Sequence, residues 1–422
     1  MTDLRVNFMG IKLKNPFLLA CGPEATAANF LAAAEAGWAG GVLWAPDSKN
    51  PWPEYQGFNR GYVPREFQTN TGEFIGKSRR WWAYQNNGCE PEQLEHIHIP
   101  ERMEASIRES KKAGIVVGQN ITERSDPEAW VEAASVAERS GVDFIELNFS
   151  CPYISEIGMT VGRDEKLQQT ITRIVRKQVS IPIEVKLNAI IETDMLQRMA
   201  KQALNEGANG IAITNTLPGF IGVDIESGIP LACELGLDGR MRGVTGGISG
   251  PAIKPIALRG VAEVYRATKA PVSGIGGIID WRSAVEFMLL GASTVQLCTA
   301  VLFFGYGIVK DMIRGLEDYM ERKSYKNIED FVGLTNEKYS VGESYSVSAK
   351  IQPKRMTVDQ GLCTACGMCV IACRSSSSGS GACTMEEGVA HINPKLCHTC
   401  NTCRIVCPSL AIKEEWDAGY PI

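Results

Sequence analysis

The chain has 422 residues, a length that allows two or three domains at roughly 150 residues each. Its 43 Lys and Arg against 48 Asp and Glu give a net charge of −5, which argues against a protein held to nucleic acid by bulk charge. Apolar residues make up 44% of the sequence, but no run reaches the roughly 18–20 residues of a membrane helix, and no signal peptide precedes the first domain. We expect a soluble, cytoplasmic protein whose fourteen cysteines do not form disulfides.

The first 335 residues alternate short apolar runs with amphipathic stretches. Eight runs are almost continuously apolar, as strands buried on both faces are, and they cover residues 16–22, 40–45, 114–120, 144–151, 182–188, 210–216, 271–277 and 293–300. Helical patterns lie between most of them, and several end in Gly, which often follows a helix. The pattern predicts an α/β fold, a (β/α)8 barrel. An open doubly wound sheet is the alternative, although no GxGxxG opens a helix after the first strand.

Two long segments interrupt this alternation. Residues 46–112 follow the second run and are rich in Trp, Tyr, Pro and Gly, and residues 217–250 follow the sixth run. Because barrel chemistry takes place on the loops at the carboxyl ends of the strands, both segments are candidate substrate walls or lids. Plain surface elaboration is the alternative for each.

Nine of the fourteen cysteines lie in the last 60 residues, which places a domain boundary before them. We predict a barrel over 1–335, a polar linker over 336–355 and a small α+β domain over 356–422. The cysteines form two runs of the same spacing: Cys363-x2-Cys366-x2-Cys369-x3-Cys373 and Cys397-x2-Cys400-x2-Cys403-x3-Cys407.

This spacing is that of a two-cluster ferredoxin, in which the fourth cysteine of each run ligates the other cluster. It predicts one [4Fe–4S] cluster held by Cys363, Cys366, Cys369 and Cys407, and a second held by Cys397, Cys400, Cys403 and Cys373. Two zinc knuckles are the alternative. Arg374 replaces the usual proline, and Cys383, after a Ser/Gly-rich insert, is expected to be a loop thiol and not a ligand.

At NFSCP, residues 148–152, the chain specifically resembles the dihydroorotate dehydrogenase and dihydropyrimidine dehydrogenase family. The matching segments stand in family order: KNPFLLACGP, NFSCP, EVKLN, TNT, GGISGPAIKPIALR, GIGGI and GASTVQLCTA. A barrel followed by a two-cluster ferredoxin is also similar to part of dihydropyrimidine dehydrogenase. The resemblance therefore covers nearly the whole chain.

The resemblance implies that the barrel binds FMN. Ala20 and Cys21 would lie beside the flavin, Lys186 would meet its N1, and Asn215 and Thr216 would approach the ring and the ribityl chain. The phosphate would be held by Gly250, Gly276, Gly277, Cys298 and Thr299. Apart from the resemblance, the loops after the seventh and eighth strands are a usual barrel phosphate site, and glycines allow backbone N–H groups to approach an anion. For Lys186 the alternative is a surface lysine.

Cys151 of NFSCP matches the acid–base cysteine of the family. It would move a proton at a carbon next to a carbonyl while a hydride moves to or from flavin N5 at the neighbouring carbon, and a thiol with a pKa of about 8.5 serves near neutrality. Asn148 and Ser150 would complete the catalytic group. The resemblance implies substrate contacts from Asn86 or its neighbour Asn87, and from Asn148, Asn215 and Thr216. A buried structural cysteine is the alternative for Cys151.

Departures from the family lie on the substrate side. Trp44 and Ala45 replace a Lys–Thr pair, Tyr153 replaces the His of the pyrimidine enzymes, and Pro218 replaces a small polar residue. We therefore expect the proton–hydride chemistry to be retained and uracil and thymine to be poor substrates. The leading prediction is an oxidoreductase of a CH–CH or C=C bond next to a carbonyl, either a pyrimidine reductase or an enzyme of enoyl or aromatic-ring substrates. The rival is a non-catalytic electron-transfer subunit.

The chain has no nicotinamide-binding fingerprint at any strand–helix junction. In the similar pyrimidine enzymes a second flavin module takes electrons from NAD(P)H. The resemblance thus implies a separate electron-transfer partner, a flavin/NAD(P)H subunit or a ferredoxin, that docks near the clusters, and a homo- or hetero-oligomer.

Overall fold

The computed structural model describes residues 2–22, 25–43, 60–62, 67–68, 74–76, 83–86, 100–123, 125–151, 159–231, 233–235, 241–243, 245–336, 338, 354–375 and 379–416. The chain divides into two compact units. The first comprises Met1–Pro64 and Arg80–Tyr339, and the second comprises Arg65–Arg79 and Ser340–Ile422. The domain boundaries at 335 and 356 stay a prediction.

A closed barrel of eight parallel strands forms the centre of the first unit. Its strands are β1 (Phe17–Leu19), β2 (Gly40–Leu43), β3 (Val116–Ile121), β4 (Phe144–Asn148), β5 (Ile183–Leu187), β6 (Gly210–Ile213), β7 (Val272–Ile275) and β8 (Ala292–Leu297). Neighbours along the chain pair with one another, and β8 pairs with β1 to close the ring. Every strand overlaps one of the eight predicted runs, so the predicted (β/α)8 barrel is confirmed and the open sheet is wrong.

Ten helices of the described residues belong to this unit. They are α1 (Ala27–Ala36), α2 (Pro100–Lys111), α3 (Pro127–Arg139), α4 (Met159–Arg163), α5 (Glu165–Gln178), α6 (Thr193–Asn205), α7 (Lys254–Thr268), α8 (Trp281–Leu289), α9 (Thr299–Phe304) and α10 (Ile308–Lys323). The segment 46–112, which the sequence marked as an interruption of the alternation, contains α2, the helix between β2 and β3. Its polar sequence masks a short buried face that includes Met103 and Ile107.

The helices cover strands that are buried on both faces, which explains their continuous apolar runs. Phe17, Leu18 and Leu19 of β1 are each fully buried. Local signals set the helix ends. The Asp164 carboxylate accepts hydrogen bonds from the backbone N–H groups at the start of α5, and Gly37 adopts a left-handed conformation after α1.

Short antiparallel strands add to the barrel in the first unit. Val6–Phe8 pairs with Ile11–Leu13, and Cys233–Leu235 pairs with Met241–Gly243. A four-stranded sheet has the order Leu217–Gly219, Gly246–Ser249, Ala83–Asn86, Arg60–Tyr62. This sheet joins the segments that follow β2 and β6, the two positions where the sequence predicted long loops.

The second unit is small and has mixed α and β structure. Its helices are α11 (Met368–Ser375) and α12 (Thr402–Ile405), and its strand pairs are Phe67–Gln68 with Phe74–Gly76, Lys354–Val358 with Ile412–Trp416, and Cys383–Glu386 with Val389–Ile392. Among the residues described in both units, no helix has the length and apolar character needed to cross a membrane.

Candidate active site

The predicted site residues of the barrel follow the carboxyl ends of its strands. Cys21 lies after β1, Lys186 lies near the end of β5, Asn215 follows β6, and Cys298 follows β8. Because the strands are parallel, their carboxyl ends share one rim of the barrel. Residues that are far apart in the sequence are therefore placed at the same end of the fold.

A hydrogen-bonded group of polar side chains joins β4 to β6 at this rim. The Asn148 Oδ1 accepts from Ser150 Oγ at 2.7 Å, from Ser150 N at 3.0 Å and from Asn215 Nδ2 at 3.3 Å. Asn215 Oδ1 in turn accepts from Thr216 N at 2.7 Å. The structure thus brings together the predicted catalytic and substrate residues of NFSC and TNT. Cys151 is half-buried directly after Ser150.

Asn188 at the end of EVKLN is a site residue that the sequence analysis did not assign. Its Nδ2 lies 3.4 Å from both Ser150 O and Thr216 O, and Thr214 Oγ1 lies 3.4 Å from its Oδ1. Asn188 is buried and connects the loops after β4, β5 and β6. A buried amide that spans three loops fixes their relative positions, and its place two residues after Lys186 was the available signal.

Lys186 is 2% exposed, so the alternative of a surface lysine is wrong. Its Nζ lies 3.2 Å from Glu146 Oε1. Burial opposes its charge, but attraction by Glu146 and then by Cys21 raises the pKa of Lys186 above its usual value. The side chain therefore carries a positive charge inside the barrel.

A second buried carboxyl, Glu184, lies beside this pair. Burial and then repulsion from Glu146 hold the pKa of Glu184 well above the usual carboxyl range, against the opposing effects of Lys186 and of a hydrogen bond from Gln296. Glu146 and Glu184 were not predicted. Each stands two residues from another inward-facing polar residue in an otherwise apolar strand, and that alternation was the available signal.

Three predicted glycines lie close together: Gly276 and Gly277 follow β7, and Gly250 follows the strand Gly246–Ser249. We call these three residues the glycine turn. Gly250, Gly276 and Gly277 have φ of +83°, +116° and +75°, which disfavours any residue with a Cβ. A Cβ at Gly277 would lie 2.9 Å from Gly250 O and 2.6 Å from Lys254 Cβ. Thr299 Oγ1 donates to, or accepts from, Ser249 Oγ at 2.8 Å, which ties the end of β8 to the same place.

A small apolar cluster lies apart from the main core. Ala20, Ala212 and Ile275 are buried together, and Cys298 packs against them. These residues come from the ends of β1, β6, β7 and β8, so they provide an apolar surface at the rim that holds Lys186 and the glycine turn. Together, a buried cation, an apolar surface and a turn of positive φ suit a ligand that combines an aromatic ring with an anionic group, as FMN does.

Several predicted features of the substrate side lie outside the described residues. These are Trp44, Ala45, Asn87 and the loop 152–158. For Asn86 the backbone is described, and it pairs with Gly247 in the four-stranded sheet. The assignment of Asn86 to substrate stays a prediction.

In the second unit, four of the predicted cluster ligands line one cavity. Cys363, Cys366, Cys369 and Cys407 surround it together with apolar side chains that include Val358, Ala390 and Ile412. Ala390 N donates to Cys363 Sγ at 3.5 Å, and Ala411 N donates to Cys407 Sγ at 3.3 Å. Backbone donors to cysteine sulfur are a general means of tuning a cluster. This set fits the first predicted [4Fe–4S] cluster.

The two cysteine runs share an unusual backbone. Ala365 and Gly367 have φ of +56° and +72° in the first run, and Thr399 and Asn401 have φ of +50° and +66° at the same positions in the second. Alternation of right-handed and left-handed residues turns successive N–H groups into a concave anion site, as in many iron–sulfur loops. Three of these four residues carry a Cβ, so the freedom of glycine does not explain their positive φ.

Three members of the second predicted ligand set also come together, since Cys373 and Cys403 are buried in one cluster and Cys397 packs against it. Burial raises the pKa of Cys397, and the neighbouring thiols Cys403, Cys400 and Cys373 act in the same direction. Cys383 does not lie in a loop, and that prediction is wrong, because it begins the strand Cys383–Glu386 and is 2% exposed. A hydrogen bond with Cys403 and then burial raise the pKa of Cys383. Among the described residues, no three His, Cys, Asp or Glu side chains gather around the position of a single metal ion.

The glycine turn and the buried lysine lie at the carboxyl ends of the barrel strands, the end at which barrel enzymes have their active sites. A sequence model described as dihydroorotate dehydrogenase matches residues 3–320. The chain belongs to the dihydroorotate dehydrogenase family, and it is a flavin-dependent oxidoreductase.

Individual relatives agree with this assignment. The "NAD-dependent dihydropyrimidine dehydrogenase subunit PreA" of Escherichia coli K12 is 30% identical over 414 residues, which cover 96% of this chain and 94% of that protein. The chloroplastic "dihydropyrimidine dehydrogenase (NADP(+))" of Arabidopsis thaliana is 30% identical over 78% of this chain and 76% of that protein. The "dihydroorotate dehydrogenase B (NAD(+)), catalytic subunit" of Caldicellulosiruptor bescii is 41% identical over 50% of this chain and 65% of that protein.

Proposed function

We propose that the chain is an FMN- and iron–sulfur-dependent oxidoreductase of a CH–CH or C=C bond next to a carbonyl. The observation that carries the proposal is the hydrogen-bonded group of Asn148, Ser150 and Asn215 at the rim that also holds Lys186. When bound there, FMN would exchange a hydride with the substrate carbon. The substrate need not be a pyrimidine, because the departures from the family lie on the substrate side.

In this proposal, each residue of the rim has a separate role that follows from its position. The glycine turn, with its positive φ values, and Thr299, which is hydrogen-bonded to Ser249, would hold the phosphate, and Lys186 would bind the flavin ring at N1. The Asn148 and Asn215 amides orient the substrate carbonyl. Cys151, which directly follows this group, gives or takes the proton at the carbon next to that carbonyl. Asn188 keeps the two substrate loops in register.

A substrate screen tests this function directly. The holoenzyme is reduced under anaerobic conditions, and reoxidation of its flavin is followed after addition of enoyl, aromatic-ring and pyrimidine compounds. We expect rapid reoxidation by a compound with a C=C bond next to a carbonyl and slow reoxidation by uracil and thymine. If no such compound reoxidises the flavin, the chain is the non-catalytic electron-transfer subunit, and if uracil acts rapidly, it is a pyrimidine reductase.

Cofactor content provides a second test. We expect one FMN and two [4Fe–4S] clusters per chain, because the glycine turn fits one phosphate and the two ligand sets fit two clusters. Iron, acid-labile sulfide, zinc and flavin are measured on protein purified without oxygen. Zinc in place of iron would support the knuckle alternative, and protein without flavin would contradict the proposed function.

A separate partner that supplies or accepts electrons is part of the proposal. The names of two relatives describe subunits, and no glycine-rich dinucleotide turn is present in this sequence. The purified chain is therefore expected to accept electrons from a viologen dye or a ferredoxin and to react slowly with NADH and NADPH. Stopped-flow measurement of flavin reduction by each donor checks this. Fast reduction by a nicotinamide without a second protein would contradict the need for a partner.

A further inference from the structure

The barrel interior holds two carboxyl groups to which the chemistry above gives no role. Glu146 of β4 and Glu184 of β5 are opposite one another in the strand register and are both fully buried. Lys186 stands two residues after Glu184, and alternate residues of a barrel strand face the same side. Two carboxyl groups and one ammonium group therefore share a space without water contact.

The hydrogen bonds of the two carboxyl groups differ. Glu146 Oε1 accepts from Asn120 Nδ2 at 2.7 Å and contacts Lys186 Nζ at 3.2 Å. Glu184 Oε2 accepts from Gln296 Nε2 at 3.3 Å, and neither Glu184 Oε1 nor Glu146 Oε2 receives a hydrogen bond from any described residue. A buried carboxylate needs donors or a cation to remain ionised. Glu146 has both, whereas Glu184 has a single neutral donor.

The net charge of Glu146, Glu184 and Lys186 also indicates that one of the carboxyl groups is neutral. If both carboxyl groups were ionised, one ammonium group would leave a net negative charge inside the barrel. A proton on Glu184 makes the group neutral and turns its Oε1 from an acceptor without a donor into a hydrogen-bond donor. Gln296 Oε1, on the side chain that donates to Glu184 Oε2, also receives no hydrogen bond from the described residues, so a further acceptor without a donor lies beside Glu184. The raised pKa of Glu184 agrees with a bound proton.

We propose that Glu146 is the counter-ion that positions Lys186, and that Glu184 is a neutral carboxylic acid in the same buried layer. Neither residue is a catalytic residue, because both act through Lys186. The role toward flavin rests on the proposed function, in which Lys186 meets the flavin. In that case, Glu146 sets how much of the positive charge of Lys186 remains uncompensated at the flavin.

The reduction equilibrium of the flavin therefore depends on this layer. Reduction adds electrons to the flavin, so a less compensated Lys186 favours the reduced form. Glu146→Gln alone would leave Glu184 able to ionise and to take over as counter-ion. Only the double variant Glu146→Gln/Glu184→Gln removes both buried carboxyl groups next to Lys186.

The test compares Glu184→Gln, the double variant and the wild type as FMN-loaded proteins. Anaerobic titration against a reference dye gives the ratio of reduced to oxidised flavin. We expect Glu184→Gln to change this ratio by less than about threefold, and the double variant to raise it about tenfold, which is about 30 mV for a two-electron couple. Glu263→Gln is the matched control, since Glu263 is a buried glutamate of α7 that accepts from Gln197 outside the barrel interior.

A change in Glu184→Gln as large as that in the double variant would overturn the assignment, and so would an unchanged ratio in the double variant. Infrared spectroscopy gives a second measurement that requires neither flavin nor the double variant. A band of a protonated carboxylic acid is expected in the wild type and absent in Glu184→Gln, and a wild type without this band would also overturn the proposal. Protein that binds no FMN would contradict the proposed function, while the infrared result would still decide the protonation of Glu184.

Discussion

Cys151→Ala is expected to retain FMN and both clusters while losing about 10²–10⁴-fold in turnover, the usual contribution of a general acid or base. The loss follows because Ala has no proton to give or take next to the Asn148–Ser150 group. Turnover and flavin content are measured on the same preparation with the compound found in the substrate screen. The pH dependence of turnover is recorded in parallel.

The graded variant for this test is Cys151→Ser. A hydroxyl is a much weaker acid than a thiol, so Cys151→Ser should keep a small part of the activity. Its turnover should also change less with pH around the usual pKa of a thiol. Full activity in Cys151→Ala, together with normal flavin content, would make Cys151 the buried structural cysteine that the sequence left as its alternative.

Gly277→Ala is expected to bind FMN about tenfold to a hundredfold more weakly than its control variant. Each tenfold loss corresponds to about 1.4 kcal/mol of binding free energy. The new Cβ would meet Lys254 Cβ at 2.6 Å and Gly250 O at 2.9 Å, so the turn that fits the phosphate has to open. The measurement is the dissociation constant of FMN from refolded or flavin-depleted protein, followed by flavin fluorescence.

Gly114→Ala is the matched control for this variant. Gly114 has φ of +69°, close to the +75° of Gly277, and a Cβ there would have no atom within 4 Å. Both variants share the cost of an alanine in the left-handed region, which is of order 1–3 kcal/mol. Only Gly277→Ala adds the steric contact. Equal FMN affinity in the two variants would show that the glycine turn does not hold the phosphate.

The barrel could be predicted from sequence because its strands are buried on both faces and read as continuous apolar runs. Helix α2 could not, because only a narrow face of it is buried and its remaining residues are polar. Cys383 is a different case. It follows a Ser/Gly-rich stretch typical of a loop, yet it pairs with Ile392 in a hairpin. The turn of this hairpin is Glu387–Gly388, both with positive φ, and that dipeptide was the local signal.

Site residues that lie in a family-like motif could be predicted from the sequence. Site residues that are identified only by a tertiary contact were missed. Lys186 and Asn148 stand in segments that resemble the family, and the structure places both in the buried rim. Asn188 and Glu146 gain their roles from hydrogen bonds to residues of other strands, at 3.4 Å and 2.7 Å, respectively. These partners lie far away in the sequence, so they can be identified only from the closed barrel, which brings the strands together.

The polar layer inside the barrel also bears on thermal stability. A buried ion pair often contributes less to stability than well-packed apolar side chains of similar volume would, because both ions lose their hydration. A variant with Leu or Met at Glu146, Glu184 and Lys186 would then unfold at a higher temperature than the natural chain while having no charge to offer a bound cofactor. The charged layer that suits the interior to ligand chemistry is therefore expected to lower the melting temperature relative to that of the apolar variant, which thermal unfolding of the two chains would measure.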